Sequence, residues 1–587
     1  MCGIIGTIRD NISIDDIKKF NNSLSLMQDR GPDNQNIKRI NKNILVGHSR
    51  LSIIDISTNA NQPFQIENYT IVFNGEIYNY LFLKEVLNIN GIKCNASSDT
   101  EILLRYYIQF GIDKTLADIN GMFAFCIVDT NANKSYLARD RFGQKPLFIN
   151  TEYGISFSST IESLKSISNR GDIDREVIYQ YLLFRFIQSD DTVYGNIIKI
   201  NPAECVVVDL TTQTVIKKYF YWKPKYKLSS DTYKLDTIEK ILEDSVKEHM
   251  YSDVPMALFL SGGIDSSLIS YYATKQNKNL ESINVQFKGQ ENNEYQYAKY
   301  VSDKLNISLH KVEIDKFSDT TFDDVQLLLQ KVGQPFSDPA LLPQYLVAKK
   351  AKDLGFKVVL TGDGGDELFG GYSIYRKAQL FRYAKYSPNF LYKDFKTIQD
   401  NNEQLIYFNL NIMEIDEIRN TMGKIPIFDL VNNKEFILEK NDYMKLFSSY
   451  DINYKLANEF LPKVDTATML TSVESRSPFL NHKLFEYVWQ HNYNNLASFK
   501  EGKLPLKNIS EKIYGKKFTY RKKMGFEAAM EEWLSNNKTI FNHTFSKERK
   551  IFKDGVLNFD NTKELVIKYK KFLWRYFNLI TWYENEN

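Results

Sequence analysis

Cysteine is scarce: there are four among 587 residues, Cys2, Cys94, Cys126 and Cys205, with no close pair and no metal-type spacing. That excludes a disulfide scaffold and a cysteine-based zinc site, and it fits a reducing cytoplasm. The six histidines are scattered, with no zinc pattern. No apolar run is long enough to span a bilayer, and no basic start followed by an apolar core marks a secretory signal. An excess of one charge is also missing. Lys+Arg number 75 and Asp+Glu 72, so the net charge of +3 gives no electrostatic case for nucleic acid or an anionic membrane. No internal repeat or low-complexity segment is present. What remains is an ordinary globular composition, 43% hydrophobic and 25% charged, over a length that suggests about two to four domains.

The chain opens Met1-Cys2-Gly3-Ile4-Ile5-Gly6. Removal of the initiator methionine would leave one residue carrying both a thiol and a free α-amine. With a thiol pKa of about 8.5 and an α-amine of about 7.7–8.0, the amine is a built-in base near neutral pH. An N-terminal nucleophile is a known catalytic device. The bland alternative, a small hydrophobe in a first strand, stays open on these residues alone.

Residues 1–210 read as short β-type runs, Ile44–His48, Thr70–Asn74, Met122–Asp129, Lys134–Arg139, Gly154–Ser158 and Cys205–Leu210, interrupted by one clear helix at Asp99–Phe110. This predicts packed antiparallel sheets with helices, an α+β domain. Residues 211–235, with Trp222-Lys223-Pro224 and Ser229-Ser230-Asp231, read as a linker. From 236 the period changes. Strand-like runs at Val254–Leu260, Ser282–Phe287, Leu309–Ile314 and Lys357–Leu360 alternate with helical ones, which predicts an α/β doubly wound parallel sheet. Residues 373–587 read as a helical C-terminal extension of this second domain, 236–587.

Two glycine-rich turns follow strands of that sheet. In Leu260-Ser261-Gly262-Gly263-Ile264-Asp265-Ser266-Ser267, glycines admit an anion to the backbone, hydroxyls add donors, and a helix N-terminus supplies free N–H groups. Walker A spacing and its lysine are absent. In Thr361-Gly362-Asp363-Gly364-Gly365-Asp366-Glu367, three carboxylates in five residues would repel each other without a cation, and hard oxygen ligands facing phosphates suggest Mg²⁺.

These loops, joined to Met1-Cys2-Gly3, resemble the glutamine-hydrolysing asparagine synthetases. The same resemblance runs through Arg30-Gly31-Pro32-Asp33, Gly47–Asp55, Phe73-Asn74-Gly75-Glu76, Ser98-Asp99-Thr100-Glu101, Gly121–Phe125 and Arg139–Leu147, so it covers nearly the whole chain. It implies an N-terminal-nucleophile (αββα) glutaminase domain followed by an ATP-pyrophosphatase domain. By resemblance Cys2 is the nucleophile, and Asn74 and Gly75 form the oxyanion hole. Arg50 clamps the glutamine α-carboxylate, and Glu76 and Asp99 hold its α-ammonium. Asp99 is also a good helix N-cap by type. In the second half, Ser261, Gly262, Gly263, Asp265, Ser266 and Ser267 are implied to hold the pyrophosphate, with Leu260, Val285, Thr361 and Gly362 against the nucleotide. Asp265 and Asp366 would hold Mg²⁺, Lys503 would stabilise charge during adenylation, and Asp363 is tied to the intermediate and the attacking ammonia.

The implied reaction is ATP-dependent amidation of a carboxylate with ammonia from glutamine: aspartate to asparagine, releasing glutamate, AMP and pyrophosphate. The chain departs from the family pattern in three places. Phe157-Ser158-Ser159-Thr160-Ile161-Glu162 loses an acid and reverses a charge near the domain junction. Asp363 stands where many members carry glutamate. Val464-Asp465-Thr466 and Ser475–Asn481 lose an Arg and an Asp in a stretch expected to face substrate. That last departure motivates an alternative acceptor, such as a sugar (uronic) acid of a surface polysaccharide. The expected partners are small molecules only, with a homodimer left open.

Overall fold

Side-chain alternation along Tyr69–Ile77 sets the architecture of the first half: Val72 enters one core while Ile71 and Phe73 enter another. The computed structural model describes residues 2–95, 97–223, 232–287, 294–314, 319–378, 412–422, 443–521 and 530–586. Met1 and residues 224–231 of the expected linker lie outside them.

Two six-stranded sheets face each other. The first runs in the order Ile198–Lys199, Phe148–Asn150, Ile155–Ser158, Gly3–Ile8, Ile44–Arg50, Asn34–Asn41. The second runs Thr214–Phe220, Glu204–Asp209, Lys134–Arg139, Gly121–Asp129, Tyr69–Ile77, Phe64–Ile66. Ile4, Ile8, Val46 and Phe157 from one sheet meet Val72, Cys126, Leu137 and Val206 from the other in a shared core. Helices cover both outer faces. Tyr80–Ile89 and Asp99–Asp118 pack on the second sheet, and Ile14–Ser25, Ile161–Ile167 and Arg175–Phe184 on the first. This is the expected αββα sandwich, with more helices than the single one read from sequence. Their apolar stripes are interleaved with Lys, Asn and Asp, as in Ile14–Ser25, which hides the period.

Three local expectations are corrected. The sheet does not end at 210, because Thr214–Phe220 pairs with Glu204–Asp209 as an edge strand. Its solvent-facing lysines made it read as linker. The long helix runs on to Asp118, with a break at Gly111 where φ is +75°. Its N-cap is Ser98, whose side chain accepts from the Thr100 N–H, so Asp99 is released from capping.

The second half carries a five-stranded sheet in the order Ser308–Ile314, Glu281–Phe287, Met256–Phe259, Val358–Leu360, Glu474–Arg476, all parallel. Four strands match the sequence reading. The fifth, only three residues with two charged, gave no apolar run to read. The C-terminal helix Leu573–Glu584 does more than extend this domain. It packs back on the first: Tyr181 Oη donates to the Arg575 carbonyl at 2.8 Å, and Trp582 meets Tyr194 edge-on at 6.2 Å.

Candidate functional sites

The first site opens at the start of Gly3–Ile8. The Cys2 N–H donates to Asn74 Oδ1 at 3.1 Å, and the thiol is buried, with burial raising its pKa. Holding the Asn74 amide oxygen in this way aims its nitrogen elsewhere. Asn74 Nδ2 is buried and has no hydrogen-bond partner among the described residues. An unmet buried donor costs about 1–3 kcal/mol, so it persists where a ligand oxygen is to be bound. Gly75 beside it sits at φ +148°, and a Cβ there would lie 2.0 Å from the Met122 carbonyl oxygen, so only glycine fits.

Cys2, Arg50, Gly75, Glu76 and Asp99 line one cleft of about 320 Å³, together with Leu51, Gln62 and Thr100. The sequence-predicted glutamine residues are thus brought together. Arg50 Nη1 donates to the Ser57 carbonyl and to Asn61 Oδ1, both at 2.7 Å, and Nη2 donates to the Asp55 carbonyl. The loop 55–61 therefore fixes the guanidinium plane. Asp99 Oδ2 accepts from the Ile77 N–H at 3.0 Å. Burial pushes its pKa up to about 6, and it pushes Glu76 well above the carboxylate range. Two buried acids, one of them beside Arg476, make an acidic pocket that suits an ammonium group.

The second site forms at the carboxyl ends of the parallel strands. Gly263 is the N-cap of Ile264–Gln276 and makes no side-chain cap bond, so the first N–H groups of that helix face the loop. Within the loop, Ser261 Oγ pairs with Ser266 Oγ at 3.0 Å, and Ser267 Oγ donates to the Gly263 carbonyl at 2.6 Å. Gly362 packs on the same loop, where an added Cβ would come within 2.9 Å of Asp265 Cβ. The Leu260 side chain is fully buried with Ala298, Val301 and Phe518, so only its main chain can reach a nucleotide. Val285 is half-buried on the neighbouring strand.

Lys503 comes from far along the chain and is 6% exposed. It takes a left-handed backbone, φ +56°, that ties its N–H to the Phe369 carbonyl at 3.0 Å. Its Nζ pairs with both Asp265 and Asp366, the latter at 2.7 Å. Close approach depends on Gly371, where a Cβ would sit 1.8 Å from Asp366 Oδ1 and 2.3 Å from Lys503 Cε.

The carboxylates of the acidic turn find different hydrogen-bond partners, and the expected repulsion is present, since Asp366 raises the pKa of both Asp363 and Glu367. Glu367 turns away to accept from Tyr372 Oη at 2.7 Å, with burial raising its pKa to about 7. Asp363 accepts from Thr361 Oγ1 at 2.7 Å, and burial raises its pKa. Only Asp265 and Asp366 converge. Buried Asp265 Oδ1 has no hydrogen-bond partner among the described residues. No group of three or more metal-ligating side chains occurs among them. Two carboxylates, one with an unmet oxygen, beside a phosphate loop fit Mg²⁺, which takes its remaining ligands from phosphate and water.

Sequence reasoning missed what joins the sites. Arg476 is fully buried: Nε donates to Glu474 at 2.6 Å, Nη1 to the carbonyls of His249 and Tyr251, and Nη2 lies 3.2 Å from Glu76. Asp465 pairs with Arg30 at 2.8 Å and with Lys145 at 3.8 Å. Asn481 caps helix His482–Trp489 by accepting from the Lys483 N–H. Residues 465–481 were expected to face substrate. Asp465 and Arg476 instead face the first domain and Asn481 is a helix cap, whereas Ser477 Oγ lies 3.0 Å from Thr361 Oγ1 at the synthetase site.

A thiol beside an unmet amide donor, on an αββα sandwich joined to a Ser-Gly-Gly loop on a parallel sheet, defines a glutamine-dependent amidotransferase that uses ATP. The chain belongs to the asparagine synthase family: the pattern described as Asparagine synthase matches residues 237–584, and that of the Glutamine amidotransferase domain matches 1–222. Among curated relatives, asparagine synthetase [glutamine-hydrolyzing] 1 of Bacillus subtilis is 30% identical, over 91% of this chain and 88% of the relative. Putative asparagine synthetase [glutamine-hydrolyzing] 2 of Methanocaldococcus jannaschii is 32% identical, over 80% of this chain and 98% of the relative. The protein is therefore a carbon–nitrogen ligase of the glutamine-hydrolysing asparagine synthetase type. No helix among the described residues is long and apolar enough to cross a membrane.

Proposed function

We infer that the enzyme converts aspartate to asparagine in the cytoplasm, with ATP and glutamine as co-substrates. The observation that carries the glutaminase half is the unmet Asn74 amide beside Cys2. With Met1 removed, the nitrogen now held 3.1 Å from Asn74 Oδ1 becomes the α-amine that takes the thiol proton. The thiolate attacks the glutamine amide carbon, and Asn74 Nδ2 and the Gly75 N–H receive the oxyanion. Arg50 orients the α-carboxylate, while Asp99 and Glu76 hold the α-ammonium. Ammonia leaves, and water releases glutamate from the thioester.

In the second domain, the acceptor carboxylate attacks the α-phosphorus of ATP. The Ser261–Ser267 loop holds the departing pyrophosphate, and Lys503 balances charge. Asp265 and Asp366 would hold Mg²⁺, which neutralises phosphate charge when bound. Asp363 is assigned, from the family resemblance, to the step in which ammonia displaces AMP. Curated relatives over most of the chain carry the name asparagine synthetase, which supports aspartate ahead of a uronic acid. Incubating enzyme, ATP, Mg²⁺ and glutamine with aspartate, and separately with glucuronate, tests this. Asparagine mass is the expected product. A uronamide with no asparagine would move the function to the sugar acid.

A further inference from the structure

A cavity of about 360 Å³ lies where the two domains meet, close in size to the 320 Å³ glutamine cleft and sharing no residue with it. Arg141 and Phe142, in its wall, follow strand Lys134–Arg139, and Trp222 follows the edge strand Thr214–Phe220. The second domain supplies Ile452, together with Phe485 and Trp489, which stand four residues apart on one face of helix His482–Trp489. Phe142, Trp222 and Phe485 meet pairwise edge-on, with centroids 5.5–5.6 Å apart, and Phe485 stacks on Trp489 at 5.0 Å. The Trp222 indole N–H donates to Glu486 at 2.7 Å, which sets its ring plane. Aromatic edges and faces held in this way suit a further flat apolar group.

One wall is charged. Arg141 is 6% exposed. Its Nη1 donates to the Ile119 carbonyl at 2.7 Å, and its Nη2 to the carbonyls of Leu116 and Ala117 at 3.0 and 3.1 Å. Those carbonyls end helix Asp99–Asp118, so both Nη groups are engaged in capping it. Arg141 Nε is left over: it is buried and has no hydrogen-bond partner among the described residues. A buried charged donor without an acceptor is costly. Among the described residues, no carboxylate lines the cavity. It therefore offers one cationic donor, no negative charge and an aromatic enclosure.

We propose that this cavity is a binding site for a small aromatic carboxylate, with the ring among Phe142, Trp222, Phe485 and Trp489 and a carboxylate oxygen on Arg141 Nε. Phenylacetate, which has as many non-hydrogen atoms as glutamine, suits the volume. The site lies apart from both sets of reacting residues, so the inference holds whichever acceptor the enzyme amidates. An occupant touches both domains and fastens them together.

The test uses phenylacetate, with phenylacetamide as its uncharged counterpart and acetate as its ringless one. Binding is followed by calorimetry, by thermal melting and by tryptophan fluorescence, since two of the five tryptophans line the cavity. Phenylacetate should bind at a single site per chain with a Kd of about 1 mM or tighter. It should also change the fluorescence and raise the melting temperature. Phenylacetamide and acetate should each bind at least roughly tenfold more weakly. Arg141→Lys keeps a charge without the Nε donor and should weaken phenylacetate binding by roughly tenfold or more. Ile452→Trp fills the cavity and should abolish binding in folded protein. Phenylacetamide or acetate binding as tightly as phenylacetate, or unchanged binding in folded Arg141→Lys, overturns the proposal. So does displacement of phenylacetate by glutamine, measured in Cys2→Ala to prevent turnover, because that places the carboxylate in the glutamine cleft. Should Arg141→Lys not fold, Ile452→Trp decides: abolished binding supports the site and unchanged binding overturns it. Absence of saturable binding up to about 20 mM overturns it as well.

Discussion

Arg476 Nη2 lies 3.2 Å from Glu76 Oε1, so a guanidinium from the edge strand of the parallel sheet neutralises an acid in the glutamine cleft of the other domain. The same guanidinium holds Glu474 at 2.6 Å, and it is fully buried. Breaking a buried pair from one side leaves uncompensated charge and costs about 3–5 kcal/mol. Arg476→Met should lower the unfolding free energy by about that much, read by urea denaturation. A loss under about 1 kcal/mol would show that water reaches the junction and that the pair contributes little.

Removing the thiol and removing the oxyanion donor should have separable signatures. Cys2→Ala should abolish glutamine-dependent synthesis and leave synthesis from ammonium intact. Asn74→Ala should lower glutaminase kcat by about 10²–10³-fold with a smaller change in KM, because the donor acts on the oxyanion and not on the ground-state amide. Loss of ammonium-dependent synthesis in folded Cys2→Ala would contradict two separate sites. Mass spectrometry of the N-terminus gives a companion check, since retained Met1 in active enzyme would rule out the α-amine as base.

Glutamine use should fall with acid. The Asp99 pKa is raised to about 6 by burial, and an ammonium ion is held by the ionised form only. Lowering pH through 6 protonates Asp99 in the free enzyme, so glutamine KM should rise below about pH 6 and level off above about pH 7. Asp99→Asn should raise KM at every pH and flatten the profile. A constant glutamine KM between pH 7 and 5 in the wild type would remove Asp99 from the ammonium site. Ammonium-dependent synthesis at each pH serves as the control.

The nucleotide should be cut between its α and β phosphates. The Ser261–Ser267 loop has no lysine after its glycines, and the basic group opposite it is Lys503, set between Asp265 and Asp366. AMP and pyrophosphate are the expected products. Asp265→Asn and Asp366→Asn should each stop their formation while basal glutaminase activity survives. Detection of ADP and phosphate would defeat the assignment.

Much of each site was legible because its signals are local. Ser261–Ser267 follows a short apolar strand with two glycines at a helix start, and a sequence window holds that whole pattern. Cys2, Asn74, Gly75 and Asp99 lie in runs whose alternation or capping residues also placed them on strands or at a helix start. Even there the local reading slipped by one residue at the helix cap. Ser98 and Asp99 are both good caps by type, and only the Ile77 N–H, brought in by the neighbouring strand, decides which one is left for the ligand.

The sequence by itself determined the two architectures, their order, and the identity of the reacting groups, since periodicity and turn chemistry act within a few residues. Tertiary structure alone decided how the two halves meet. Arg30 finds Asp465 across 435 residues of chain, and Arg476 finds Glu76 across the same junction. In sequence Glu76, Asp465 and Arg476 read as charges bound for substrate, and Arg30 only as part of a family motif. Each is buried because an opposite charge arrives from the other domain, and no local pattern records a partner that only packing supplies.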